Sequence, residues 1–215
     1  MIYLSKELWF PNAVEADPDG LLAVGGDLSV ERLLLAYRSG IFPWFNDGDP
    51  ILWWSPNPRM VLFPEKLKVS KSLRRLIKQS KFEITFNQAF VRVIEHCAMM
   101  KREGQAGTWI TAEMLEAYQK LHEFGHAHSV EVWEDGQLAG GLYGIDLPNQ
   151  KVFCGESMFS QVSNASKVAL YYLVEDLRSK DYQIVDCQVY NPHLESLGAE
   201  EISQDQFLKY LDGSA

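Results

Sequence analysis

The chain has 215 residues, enough for one large domain or for a full domain with a small appendage. With 47% apolar and 23% charged residues, its composition excludes a disordered, collagen-like or coiled-coil chain. The net charge of -9 argues, as an average, against a nucleic-acid partner. Without a membrane-length apolar run, a signal-peptide core or paired cysteines, we expect a cytoplasmic protein and no membrane partner.

The first 58 residues are expected to form a small N-terminal domain. Ser29 is placed to cap a helix that Gly40 ends, and the aromatic-rich segment 41–54 is broken by Pro and Gly. A Pro-Asn-Pro turn at 56–58 then marks a boundary. The predicted units are residues 1–58 and 59–215.

Beyond this boundary, helices and strands alternate. The predicted order is a short basic helix begun by Ser70, a strand at 82–86, a helix capped by Asn87, a polar loop at 101–107, a helix capped by Thr111, strands at 126–134, 137–146 and 151–159, a helix at 164–178, a strand at 182–189 and a short helix at 204–211. Hairpin strands followed by a helix and a further strand predict an α/β fold with a mixed sheet.

Charge is distributed unevenly along the chain. Residues 59–102 contain eleven Lys or Arg and three Glu, a net charge of +8, so the remainder carries -17 to give the total of -9. Such a separation indicates a polyanion-binding face on an acidic body, although a solvated helix face explains the charge alone about equally well.

Two chemical alternatives are disfavoured by the sequence. His122, His126 and His128 resemble a metal cluster, but Gly125 is expected to end the helix between them, so we predict structural roles and no metal site. Cys187 lacks the surroundings of a cysteine nucleophile, and we expect it to be an inert packing residue.

Polar residues in apolar strands are more informative. Glu156 lies in one predicted strand, and Asp186 and Gln188 lie two apart in another, where alternation places them on one face. Burying such groups costs several kcal/mol unless they are paired. A satisfied structural network is slightly favoured on these grounds, and the convergence of three groups raises the case for a functional site.

Taken together, eight motifs in one order resemble the bacterial leucyl/phenylalanyl-tRNA–protein transferase family. The motifs are GLLAVGGDL (20–28), YRSGIFPWF (37–45), PILWWSP (50–56), GTWIT (107–111), HEFGHAHS (122–129), FCGESMFS (153–160), NASK (164–167) and DCQV (186–189). The resemblance implies a small N-terminal domain and a C-terminal domain similar to Gcn5-related N-acetyltransferases. It also implies transfer of Leu or Phe, and less readily Met, from aminoacyl-tRNA to proteins that begin with Arg or Lys, which marks them for N-end rule degradation.

The resemblance further implies roles for individual residues. Asp186 and Gln188 form the catalytic pair, through proton transfer or through positioning alone, and Glu156 holds a cationic group of the donor or the acceptor. Substrate-binding roles fall on Trp44, Trp109, Phe153, Met158, Leu142, Ser160 and Asn191. Roles in tRNA binding fall on Lys71, Arg74, Arg75 and Lys78.

We expect a monomer that needs no cofactor. One alternative is a coenzyme A-dependent small-molecule N-acetyltransferase, but residues 160–167 lack the glycine turn that would hold a pyrophosphate at a helix N-terminus. A non-enzymatic RNA-binding module is the other alternative, and only an assay of aminoacyl transfer to a peptide distinguishes it.

Overall fold

The computed structural model describes residues 1–100 and 109–214, so the predicted loop at 101–107 lies outside them. The strands are β1 (Ile2–Leu4), β2 (Leu21–Gly25), β3 (Phe42–Pro43), β4 (Leu52–Trp54), β5 (Arg59–Leu62), β6 (Glu83–Phe86), β7 (Ala127–Glu134), β8 (Gln137–Leu147), β9 (Val152–Ser160), β10 (Ile184–Gln188) and β11 (Glu200–Ile202). The helices are α1 (Val30–Arg38), α2 (Lys71–Lys78), α3 (Phe90–Met99), α4 (Ala112–Glu123), α5 (Ala165–Ser179), α6 (Pro192–Ser196) and α7 (Gln204–Asp212).

These strands form two sheets, which confirms the predicted α/β class. The first sheet has the order β1-β2-β4-β3 and the second has the order β11-β5-β10-β9-β8-β7-β6. Within the second sheet β9 and β10 pair in parallel, whereas their other neighbours pair antiparallel, so the sheet is mixed as predicted. Strands β1 to β5 and β11 and the short helix α6 were not predicted, because segments of two to five residues rarely show a clear period.

Helix starts follow local capping chemistry except at α3 and α5, where the side chain of the N-cap residue accepts no hydrogen bond. Ser29, Ser70 and Thr111 each accept a backbone N–H from the first turn of the helix that they begin, as predicted. The predicted cap at Asn87 is wrong, because α3 begins after Ala89. The carboxylate of Glu131, on β7, accepts the N–H groups of Gln88 and Ala89 instead.

The core packs on both faces of the second sheet. One apolar cluster joins α1, α3, α4 and α7 to the first sheet and to one face of the second, and another fills the face covered by α2 and α5. The first cluster contains residues of both sheets and of α7, so the core is continuous between the sheets. Gln204 of α7 also donates to the backbone carbonyls of Ala13 and Ser55, next to the first sheet. The division into units 1–58 and 59–215 therefore stays a prediction. Among the described residues, no helix combines the length and apolarity needed to cross a bilayer.

The central feature of the second sheet is a gap between β9 and β10. Their parallel pairing runs from Ile184–Val152 to Asp186–Cys154 and stops there. Strand β9 nevertheless continues to Ser160, paired on its other side with β8. The two strands therefore separate after Asp186, and the open side of β9 lines a cleft.

Substitution of Gly144, on β8, tests how tightly β8 packs against β9. A Cβ there would overlap the carbonyl oxygen of Cys154 and lie 2.5 Å from the Phe153 ring. We expect Gly144→Ala to lower the free energy of unfolding in urea by about 3 kcal/mol or more. The control Gly155→Ala, whose Cβ would lie 3.6 Å from the nearest atom, should change it by about 1 kcal/mol or less. Equal stability of the two variants would contradict this packing.

Candidate active site

A cleft of about 640 Å³ opens where β9 and β10 separate. It brings together seven residues that the sequence predicted for the site, namely Trp44, Trp109, Leu142, Glu156, Met158, Gln188 and Asn191. They come from β8, β9, β10 and the loops that follow β3 and precede α4 and α6. Residues far apart in the chain thus converge on one concave surface, which is how binding sites are commonly built.

Two β-bulges shape the walls of the cleft. Against β8, Tyr143 pairs with Ser157 and Gly144 pairs with Gly155, so Glu156 is the extra residue of β9. Against β5, Asp186 and Gln188 pair with consecutive residues, so Cys187 is the extra residue of β10. Bulges redirect side chains next to functional sites. They also invalidate the predicted same-face argument, because strand alternation does not continue through the bulge between Asp186 and Gln188.

Glu156 and Gln188 belong to one chain of hydrogen bonds. The Gln188 amide donates from Nε2 to Glu156 Oε1 at 2.8 Å, and Tyr118 donates its hydroxyl to Glu156 Oε2 at 3.0 Å. The hydroxyl of Tyr118 is in turn hydrogen-bonded to that of Tyr37, and both tyrosines are buried. The sequence did not indicate that either tyrosine belongs to the site, since periodicity does not reveal where a hydroxyl points.

The surroundings of Glu156 hold its pKa far above the ordinary value. Desolvation raises the pKa of this carboxyl to about 7, although hydrogen bonds from Tyr37, Tyr118 and Gln188 act in the opposite direction. A carboxyl group with such a pKa is present in both protonation states near neutral pH. It is therefore suited to take up and release a proton in the cleft.

Asp186 lies beneath the cleft rather than in its lining. It is 1% exposed, and both of its oxygens accept hydrogen bonds from the guanidinium of Arg59, at 2.8 and 2.7 Å. The prediction that residues 59–102 form one basic face is thus wrong at its first residue, because Arg59 is as buried as Asp186. In the sequence, Arg59 is distinguished only by its charge, and nothing there predicts that it pairs with Asp186.

The apolar part of the cleft lies beside α5. Its lining includes Leu142, Met158, Leu170, Leu173 and Val185. Two residues predicted to bind substrate lie outside this lining: Phe153 is buried and lines a separate cavity of about 230 Å³, and Ser160 accepts the N–H of Ser166 at the start of α5. Because Ser160 already satisfies that N–H, the start of α5 is less available to a pyrophosphate.

Tryptophans form the opposite wall. Trp54 donates its ring N–H to the carbonyl oxygen of Trp44 at 2.7 Å, and the two rings lie 5.8 Å apart, so Trp54 fixes the position of Trp44. Trp109 also lines the cleft but is 8% exposed. Trp53 is fully buried in the first sheet and belongs to the core.

Helix α2 carries four exposed positive charges. Lys71, Arg74, Arg75 and Lys78 all lie exposed on it, and none of them forms an ion pair within residues 1–100 and 109–214. By contrast, Lys66 pairs with Glu200 and Lys81 pairs with Glu134. Within the described residues 59–100, the exposed cations without an ion pair are these four together with Lys68 and Arg92, so α2 carries most of the basic surface of this segment.

Other reactive side chains have structural surroundings. His122 stacks on Phe90 with ring centres 4.2 Å apart and is hydrogen-bonded to the Ala127 carbonyl. Burial raises the pKa of the Cys187 thiol above its ordinary value, so the thiol stays protonated at neutral pH although it lines the cleft. In the part of the chain that the structure describes, no cluster of three His, Cys, Asp or Glu suits a metal ion.

The raised pKa of Glu156 predicts a pH-dependent stability. The folded protein retains this proton up to about pH 7 and the unfolded chain only to about 4.5, so the stability due to the protonated group is lost as pH rises between these values. Glu156→Gln stays neutral. Its free energy of unfolding relative to the unmodified protein should therefore increase between about pH 5 and about pH 8, by up to about 3 kcal/mol, in urea titrations.

The exposed residue Glu116 supplies the control. Lys120 holds the pKa of Glu116 below 4.5, so the stability difference for Glu116→Gln should be flat over the same pH range. A flat difference for Glu156→Gln as well would refute the raised pKa.

Comparison with known proteins identifies the family. Residues 61–212 match the family model described as leucyl/phenylalanyl-tRNA protein transferase, and residues 26–57 match the model of its N-terminal domain. The leucyl/phenylalanyl-tRNA–protein transferase of Flavobacterium psychrophilum is 59% identical over 98% of this chain and 99% of its own length. The transferase of Christiangramia forsetii is 58% identical over 98% of this chain and all of its own length.

Two solved structures are similar to this chain at low sequence identity. L-PGS from Bacillus licheniformis has a TM-score of 0.45 and 10% identity over 79% of this chain and 54% of its own. An aminoglycoside acetyltransferase from a soil metagenome has a TM-score of 0.41 and 14% identity over 55% of this chain and 84% of its own. These distant likenesses assign no activity. The family models and the near full-length identities are sufficient, and the chain belongs to the leucyl/phenylalanyl-tRNA–protein transferase family of aminoacyltransferases.

Proposed function

We propose that this enzyme transfers Leu or Phe, and less efficiently Met, from aminoacyl-tRNA to the N-terminal α-amine of proteins that begin with Arg or Lys. The product is marked for degradation by the N-end rule route. The enzyme acts as a monomer in the cytoplasm. The observation that carries the proposal is a cleft in which an apolar pocket adjoins the hydrogen-bonded pair Glu156 and Gln188.

The reaction needs no ATP and no enzyme nucleophile, because the aminoacyl ester is already activated. The α-amine attacks the ester carbonyl carbon, so that a C–N bond forms and the C–O bond to the tRNA ribose breaks. The proton that the amine loses ends on the ribose oxygen, which leaves as a hydroxyl. An α-amine has a pKa of about 7.7–8, and part of it is neutral at cell pH. The protein must orient this amine against the ester and provide for the proton.

Glu156 is the group best placed to take that proton. It lines the cleft, its pKa is about 7, and its second oxygen is held by Tyr118. The ionised form accepts the amine proton, or holds a cationic group of either substrate as the resemblance implies. Gln188 contributes orientation, since an amide is a poor base, and Asp186 acts through Gln188 from beneath the cleft.

The apolar lining supports a Leu or Phe side chain. Met158 and Leu142 are paired across β8 and β9, and Leu170 faces them from α5. Discrimination by such a pocket is worth about 1–3 kcal/mol per methylene, so some transfer of Met is expected.

Two features support a tRNA donor. Trp44 and Trp109 line the cleft, where stacking on the 3′ adenosine would contribute roughly 1–3 kcal/mol without sequence preference. The segment leading into α2 is joined to the end of α6 by the hydrogen bond from Lys68 N–H to the Leu197 carbonyl, and α6 borders the cleft. A strand of phosphates leaving the cleft would thus meet the exposed cations of α2.

Transfer of labelled Phe from Phe-tRNA to a peptide tests the reaction. We expect transfer to an Arg-initiated peptide and little to the same peptide beginning with Glu. Glu156→Gln should lower kcat by about 10²- to 10⁴-fold, as expected for loss of a general base, and Asp186→Ala should abolish transfer. The control Glu116→Gln, on the exposed side of α4, should keep full activity. Undiminished kcat in Glu156→Gln would remove Glu156 from the proton transfer, and acetylation by acetyl-coenzyme A would favour the alternative enzyme class.

Charge reversal on α2 tests the tRNA surface. Arg74→Glu/Arg75→Glu should weaken tRNA binding and reduce the slope of log K against log salt by roughly 0.7–0.9 for each phosphate that the variant no longer neutralises. Arg178→Glu/Lys180→Glu makes the same charge change on exposed residues at the far end of α5 and should leave the slope unchanged. Equal effects of the two pairs would indicate a general charge effect rather than a site on α2.

A further inference from the structure

Arg59 uses its guanidinium to join three distant parts of the chain. Its Nε and Nη2 donate to Asp186 of β10, and its Nη1 donates to the carbonyl of Gly40 at 3.0 Å. The guanidinium lies between two aromatic rings, 4.9 Å from the ring centre of Phe42 and 4.5 Å from that of Phe207 on α7. At 1% exposure, this group is inaccessible to either substrate.

Through Asp186, Arg59 is connected to the backbone of Gln188. Asp186 Oδ1, held by Arg59, also accepts the backbone N–H of Gln188 at 2.9 Å. Gln188 has a φ of +66°, a left-handed conformation that is uncommon for any residue other than glycine and persists only where the surroundings enforce it. In this conformation its side chain donates to Glu156.

Through Gly40, Arg59 is connected to the aromatic wall of the cleft. Gly40 has a φ of +75°, and a Cβ there would lie 2.8 Å from Leu208 of α7, so the backbone passes tightly between Arg59 and that helix. The next residues along the chain, Phe42, Pro43 and Trp44, line the cleft. The same guanidinium therefore fixes the Gln188 wall and the Trp44 wall.

We propose that Arg59 is a positioning residue for aminoacyl transfer, which acts through Asp186 on the backbone of Gln188 and through Gly40 on the aromatic wall. It sets the distance between the bound ester and the attacking amine without touching either. This inference rests on the proposed roles of Glu156 and Gln188. A misplacement of about 1 Å costs such reactions roughly 100-fold in rate.

Arg59→Lys tests the proposal, because lysine keeps the charge but lacks the planar group that can donate to Asp186 and Gly40 together. We expect kcat for Phe transfer to an Arg-initiated peptide to fall roughly 100-fold, with KM for Phe-tRNA changed less than about threefold. The matched control is Arg32→Lys. Arg32 is also 1% exposed, pairs with Asp27 and donates to the carbonyls of Ser5 and Glu7, none of which lines the cleft. The control variant should have a lower stability in urea and an unchanged kcat per folded molecule.

A double-mutant cycle separates positioning from direct chemistry. If Arg59 and Asp186 act as one unit, Arg59→Lys/Asp186→Asn should be no slower than the slower single variant. A wild-type kcat in folded Arg59→Lys, or effects that multiply in the double variant, would overturn the proposal. If the unmodified enzyme itself fails to transfer Phe to the peptide, the proposed function is at fault instead.

Discussion

The buried ion pair between Arg59 and Asp186 is the interaction on which the rest of the site depends. Two charges at 1% exposure are stable only when nearly every donor and acceptor is satisfied. Here the carbonyl of Gly40 accepts the third hydrogen bond of the guanidinium, and the backbone N–H of Gln188 donates a further hydrogen bond to the Asp186 carboxylate. Satisfying this pair thus requires the turn after α1, strand β5 and strand β10 to meet at one point.

The gap between β9 and β10 makes room for chemistry within a sheet. Where the parallel pairing stops, each strand has one extra residue, Glu156 in β9 and Cys187 in β10. The bulge at Glu156 turns its carboxyl towards Tyr118 on one face of the sheet, while Met158 lines the cleft beside α5. The polar Glu156 and the apolar Met158 thus line the same cleft, although they are only two residues apart in β9.

Charge in this protein has two separate functions. Arg59 is withdrawn into the core, and the four cations of α2 remain exposed without ion pairs among the described residues. The net charge of -9 therefore describes neither surface. An exposed basic helix on an acidic body fits the proposed pairing of a polyanionic tRNA donor with an acceptor that begins with Arg or Lys.

The sequence by itself determined the class of fold, the helix starts at Ser29, Ser70 and Thr111, and the motif set that marks the family, because caps, periods and motifs are local in the chain. It also singled out Glu156 and Gln188 as polar residues in apolar strands. Only the tertiary structure decided that Arg59 belongs to the site, since its partner Asp186 lies 127 residues away. The cap of α3 and both bulges were likewise decided by partners on neighbouring strands, which no pattern within a single segment encodes.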